Sequence, residues 1–178
     1  MDFLNNKTFS NELIYECDQS LNYYLMEYQI FELNDENKKV YNKVKEKTKD
    51  GAYNYIKIRN ILNQGFIVSA ATFLEKHTLI CEYIGDVFTY TEFCKQTIDK
   101  DKNVDSNMDL IITPISETSL IICPYNHSNI ASGINNSIPN FEKLTNVFST
   151  RVSINGSVHV LLIASKDIKK NEILYLDY

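Results

Sequence analysis

The dipeptide Asn155-Gly156 constrains this chain more than any other feature, because it separates two runs, Val147 to Ile154 and Ser157 to Ala164, that are both rich in β-branched and apolar residues. A two-residue Asn-Gly connection suits a type I′ turn, in which both positions take positive φ, so the runs are expected to pair as an antiparallel hairpin. Shorter β-branched runs at Phe66 to Ala70, Thr78 to Ile84, Leu110 to Ile112 and Ser119 to Cys123 read as further strands. The alternation of Ile56 and Ile58 with Lys57 and Arg59, and the short run Ile173 to Leu176, read the same way. The polar, acidic stretch from Asp99 to Asp109 reads as a loop.

All of these strands follow Gly51, and the texture before it differs. Residues 12 to 33 place Leu13, Ile14, Leu21, Leu25, Tyr28 and Phe31 at intervals near three and four, which predicts one helical stripe. A second helix is expected to start at the cap candidates Asn34 and Asp35, run through Val40, Tyr41 and Val44, and stop before Gly51. The fold class is therefore mostly β with α, of the α+β kind, with a helical N-terminal region over 1–50 and a β domain over 51–178.

Charge narrows the function. With 23 acidic against 18 basic residues in 178, the formal charge is -5, which argues against a nucleic-acid surface and favours a basic partner. No apolar stretch reaches the roughly 20 residues that span a bilayer, and Met1 to Ser10 is polar, so the expectation is an intracellular, soluble chain with no membrane partner. Cys17, Cys81, Cys94 and Cys123 form no C-x-x-C pair and suggest no metal site, only free thiols. His77, His127 and His159 are scattered, and no nucleophile elbow supports a Ser-His-Asp hydrolase. Asn is abundant and reads as background; judged alone, Asn135 is a turn residue, and Tyr83 and Tyr175 are core aromatics.

Three segments change that reading by their order and spacing. The first is Gln64-Gly65-Phe66-Ile67-Val68-Ser69-Ala70 together with the following Glu82-Tyr83-Ile84-Gly85-Asp86, the second is Gly133-Ile134-Asn135-Asn136-Ser137-Ile138-Pro139-Asn140, and the third is Ala164-Ser165-Lys166-Asp167-Ile168 running on to Glu172-Ile173-Leu174-Tyr175-Leu176-Asp177-Tyr178. Together they resemble the SET-domain protein lysine methyltransferases. A narrower likeness, carried by Asp105-Ser106, Ile121 to Pro124, the Asn135-Asn136 pair and Val152 to Gly156, is to the plant Trithorax-related enzymes that monomethylate the histone H3 tail. It covers about residues 36 to 178.

The resemblance implies a SET-domain fold of several small β-sheets and an S-adenosylmethionine-dependent histone-lysine N-methyltransferase, acting in the nucleus on the H3 tail or another basic peptide. It implies that Tyr178 has its hydroxyl at the transferring methyl. Tyr83 would form a wall of the lysine channel. Gln64, Gly65 and Phe66 would lie near the cofactor's amino-acid end, and Asn135 and Asn136 would bind the cofactor by side chain and backbone. Leu176 falls where the family has an aromatic residue that governs how many methyls are added. In-line displacement needs the amine and the sulfonium held in line, and needs no metal. Some positions depart from the family pattern: Asn129 to Gly133 lacks the usual Arg-Phe pair, Asn171 replaces a turn glycine, and the sequence stops at Tyr178, where relatives continue over the cofactor. Either the chain is a fragment or something else closes the site. The alternative reading is a catalytically weak SET-like module that binds histone tails or partner proteins.

Overall fold

The structure is a computed structural model that describes residues 8–10, 12–15, 30–61, 65–99, 108–109, 119–136 and 145–176. In chain order its elements are β1 (Thr8–Phe9), β2 (Ile14–Tyr15), α1 (Asp35–Thr48), β3 (Ile56–Ile61), β4 (Gly65–Ala70), β5 (Leu79–Glu82), β6 (Asp86–Thr89), α2 (Tyr90–Asp99), β7 (Met108–Asp109), β8 (Leu120–Cys123), β9 (His127–Ser128), a 3-10 turn at Ile130–Gly133, β10 (Asn135–Asn136), β11 (Val147–Ile154), β12 (Ser157–Ala164) and β13 (Tyr175–Leu176). The chain divides into two units, one of residues 1–34, 83–129 and 151–160, the other of residues 35–82, 130–150 and 161–178.

The first unit is built on the sheet β2-β6-β8-β7, in which β2 joins β6 in parallel and β6 and β7 run antiparallel to β8. A smaller parallel pair joins β1 to β9. Helix α2 leaves β6 through a capping box. The Thr89 hydroxyl accepts from the Glu92 amide at 3.3 Å, and the Glu92 carboxylate accepts from the Thr89 amide at 2.9 Å and from the Thr89 hydroxyl at 2.6 Å. Those bonds hold the Glu92 carboxyl below its usual range. At the hairpin tip, Asn155 and Gly156 have φ of 54° and 82°, the type I′ geometry that the dipeptide predicts. A strap from the N-terminal region lies on this tip. The Leu33 amide donates to the Ser153 carbonyl at 2.8 Å, the Ser153 amide donates to that of Phe31 at 3.0 Å, and the Glu32 carboxylate accepts from the Ser153 hydroxyl and the Asn155 amide.

That strap, with β2, corrects the predicted helix over 12–33. Ile14 and Tyr15 are extended and pair with Asp86 and Val87, and Phe31 to Leu33 are extended against the hairpin. Sheet edges offering free main-chain partners outweigh a helical stripe that spans few turns. Residues 16–29, which hold Leu21, Leu25 and Tyr28 of that stripe, lie outside the described residues. So does the predicted strand at Leu110 to Ile112.

The second unit holds the antiparallel pair β3-β4 and, apart from the hairpin residues 151–160, the sheet ordered β10-β13-β11-β12-β5. Its core includes Val68, Ala70, Ile80, Leu162, Ala164, Ile168, Leu174 and Leu176, all buried. Each of the larger aliphatic side chains among them contributes about 1.5–3 kcal/mol. Helix α1 forms as predicted from Asp35 and ends ahead of Gly51, whose φ of 73° and amide bond to the Thr48 carbonyl at 2.9 Å close the C-terminus. Of the predicted stripe, Tyr41 is buried while Val40 faces solvent, 49% exposed. The Tyr41 hydroxyl donates to the buried Glu82 carboxylate at 2.7 Å, which fixes the helix on β5. The observed architecture is the expected one, mostly strands in several small sheets with few helices.

Candidate functional site

Within the second unit, backbone pairing gathers three stretches that are far apart in sequence. Strand β10 runs parallel to β13, with Asn135 opposite Tyr175 and Asn136 opposite Leu176. The residues before β13 are bound to β4: the Leu174 amide donates to the Val68 carbonyl at 2.9 Å, the Ala70 amide donates to that of Glu172 at 2.9 Å, and Ser69 pairs with Ile173. The 3-10 turn leading into β10 buries Ile130, Ala131 and Ser132. It packs on β4 and β5.

Gly65 therefore opens a strand bound to the segment that leads into β13, and Phe66 follows it opposite Asn60. Leu176 is fully buried, with its backbone paired to Asn136 on one side and to Val147 on the other. Gln64 and Tyr178 lie outside the described residues, as do Ser137 to Asn140. Tyr83 belongs to the first unit, where it is fully buried and its amide donates to the Val160 carbonyl at 2.8 Å.

One residue that the sequence reading set aside as background organises this junction. Asn146 is 1% exposed. Its carboxamide oxygen accepts from the Tyr175 amide at 2.9 Å, and its NH2 group donates to the Ile173 carbonyl at 2.8 Å and to Glu172 Oε1 at 3.2 Å. Its own amide donates to the Tyr175 carbonyl at 3.2 Å, and its carbonyl accepts from Ser165 at 2.9 Å. A strand of two residues has too few ladder bonds to fix itself, and Asn146 supplies the rest. No local pattern marks it out from the other asparagines.

The signature Glu82-Tyr83-Ile84-Gly85-Asp86 has a structural basis of its own. A Cβ at Gly85 would lie 2.8 Å from the Cys123 carbonyl carbon and oxygen and 2.9 Å from Ile122 Cγ2, so only glycine lets β8 pass this close. The next residue, Asp86, is fully buried and meets His127 Nδ1 with Oδ1 at 2.6 Å. In the second unit the Tyr55 hydroxyl donates to the Ile80 carbonyl at 2.6 Å, and burial and then the neighbouring Cys81 push its pKa up. Burial, and then the Glu82 carboxylate, push the Cys81 thiol up as well, which makes it an inert core thiol rather than a nucleophile. Among the described residues no group of His, Cys, Asp or Glu side chains is placed to hold a metal ion.

Comparison with known proteins places the chain in a family. Residues 65–178 match the family model of the SET domain. Histone-lysine N-methyltransferase ATXR6 of Arabidopsis thaliana is 42% identical over 118 residues, 65% of this chain and 32% of that protein. Histone-lysine N-methyltransferase ATXR5 of the same plant is 40% identical over 118 residues, again 65% of this chain and 30% of that protein. The chain thus spans about a third of the length of these curated relatives. Among solved structures, ATXR5 in complex with histone H3.1 mono-methylated on an arginine aligns with a TM-score of 0.81 at 27% identity, covering 99% of this chain and 84% of that one. The ATXR5 SET domain in complex with histone H3 di-methylated on an arginine gives 0.82 at 29% identity with the same coverage.

Proposed function

Because this chain belongs to the SET-domain family, we propose that it is an S-adenosylmethionine-dependent protein-lysine N-methyltransferase that acts in the nucleus on the tail of histone H3. The observation that carries the reading is the junction of β4, β10 and the segment ending in β13, which draws three sequence motifs into one unit. The donor set suits the cofactor: carboxamides and main-chain groups are neutral donors and acceptors for an amino acid's ammonium and carboxylate and for an adenine edge. Gly65, Phe66, Asn135 and Asn136, with Gln64, would hold it. When bound, it supplies a methyl group activated on a sulfonium.

The residues of the chain have the remaining work. A lysine amine with a pKa near 10.4 attacks only after losing its proton, so the channel must favour the neutral amine and exclude water. In this reading Tyr83 walls the channel and Tyr178 presents its hydroxyl where positive charge develops. Leu176 brings neither ring nor hydroxyl to the position that limits methyl number. The channel then has room for an amine that already carries a methyl, and Leu176→Tyr narrows it.

Calorimetric titration of S-adenosylmethionine into the purified chain, followed by mass spectrometry of an H3 tail peptide incubated with both, tests the reading. Binding with methylation of a lysine is the expected result, and products beyond monomethyl-lysine are expected from the unaltered chain. Absence of both binding and methylation overturns the reading. Capture of the H3 peptide without methyl transfer assigns the chain to the class of binding modules instead.

A further inference from the structure

Outside that junction, the second unit carries three cations, Lys57, Arg59 and Lys170, that pair with no carboxylate among the described residues. Lys57 and Arg59 lie on the same face of β3, two residues and so roughly 6.6 Å apart along the strand. Both reach one neutral atom: Lys57 Nζ donates to Asn171 Oδ1 at 2.7 Å and Arg59 Nη2 to the same oxygen at 2.6 Å. Asn171 stands in the left-handed region, φ 73°, beside Lys170, and its amide is fixed to the Ala70 carbonyl at 2.8 Å. The charges that bear on Lys57 are those of Arg59 and Lys170, both positive; partial loss of water and then these two charges lower its pKa. The adjacent carboxylate is occupied elsewhere, since Glu172 accepts from the Lys169 amide at 2.9 Å and from Asn146 at 3.2 Å. Among the described residues, no carboxylate pairs with Lys57, Arg59 or Lys170.

Two cations sharing one carboxamide oxygen is a weak arrangement, because a neutral acceptor satisfies geometry and leaves the charge repulsion standing. An oxyanion offers several charged acceptors in place of one neutral one, and the planar guanidinium matches the geometry of a carboxylate or a phosphate bidentately. We propose that Lys57, Arg59, Lys170 and Asn171 form a phosphate-binding site that engages the sugar-phosphate backbone of duplex DNA. The site rests on the geometry alone. The choice of DNA as the phosphate's source rests on the histone reading, because histones carry wrapped DNA beside their tails. A formal charge of -5 opposes broad DNA binding but is an average over the chain, whereas these cations are local.

The test is fluorescence anisotropy of a labelled duplex of about 20 base pairs, titrated with the whole chain at several salt concentrations. The unaltered chain is expected to bind, with affinity falling as salt rises. The double variant Lys57→Ala, Arg59→Ala should lose about tenfold in affinity and flatten the log-log salt slope by about 2, and Lys170→Ala should flatten it by about 1. Equal binding by the unaltered chain and the double variant overturns the proposal, as does tighter binding of a phosphorylated peptide than of the duplex. Methylation of the free H3 peptide separates the two readings. If it fails while DNA binding responds to the variants, the methyltransferase reading falls and the phosphate site stands. If it proceeds in both proteins while DNA binding does not respond, only the phosphate site falls.

Discussion

The hairpin β11–β12 and the strand β13 share one sheet, yet they are held by different means. The hairpin brings its own instructions: a two-residue turn with positive φ at Asn155 and Gly156 sets the register of its two eight-residue strands. Strand β13 has two residues and no turn of its own. It is fixed by β10, by Val147 and by the side chain of Asn146, 29 positions before Tyr175. The self-instructed element carries no proposed catalytic residue, and the borrowed one runs directly into Asp177-Tyr178. The proposed catalytic residue thus follows a strand whose backbone depends on distant partners.

The largest effects should therefore fall at the C-terminal segment. If Tyr178 stabilises charge at the transferring methyl, Tyr178→Phe should lower kcat by about 100-fold or more. Cofactor affinity should hardly change, because the hydroxyl acts mainly in the transition state. Single-turnover methylation beside calorimetry separates the two quantities, and full turnover in the variant would remove Tyr178 from the mechanism. Next comes Asn146→Ala, which strips the acceptor from the Tyr175 amide and the donor from the Ile173 carbonyl in a buried setting. We expect it to cost about 3 kcal/mol of stability. Urea unfolding measures this, and a loss under about 1 kcal/mol would mean that β13 is held without the side chain.

The same contrast explains what could be read before the structure. The hairpin, α1 and the strands β3, β4, β5 and β8 rest on local chemistry, and their boundaries in the sequence fall within a few residues of those observed. Helix α2 left one local signal, the Thr89 and Glu92 capping box, but it follows β6 without a break and no reading of the sequence drew on that signal. Strands β1, β2, β9 and β10, of two residues each, carry no periodicity at all and exist only as partners of other strands. Asn135 and Asn136 were singled out by the motif around them, and Gly65 by the separate motif Gln64 to Ala70. Asn146 has no motif, and its role consists of bonds to Glu172, Ile173 and Tyr175 that only the folded chain reveals.

A milder perturbation belongs to the hairpin. Gly156 has φ of 82°, and a Cβ there would have open space within 4 Å, so Gly156→Ala pays for backbone conformation alone. The cost should be about 1–2 kcal/mol, with methylation of the H3 peptide unchanged once the protein is folded. A loss of activity greater than the loss of folded protein would show that the turn supports the site as well as the sheet, which would weaken the contrast between the two elements.

The smallest effect is expected at Asn171, where local and distant support meet in one residue. Its φ of 73° is a local demand, which glycine meets more easily than asparagine. Its carboxamide oxygen is a distant link, accepting from Lys57 and Arg59. Asn171→Gly relieves the first and loses the second, while adding freedom to the unfolded chain. Because the lost bonds lie at an exposed surface, where such pairs contribute little, the terms nearly cancel and the net change should stay within about 0.5 kcal/mol. Thermal unfolding reads this directly. A destabilisation above about 1.5 kcal/mol would exceed what an exposed link supplies. It would place Asn171 beside Asn146 as a side chain on which the C-terminal strand depends.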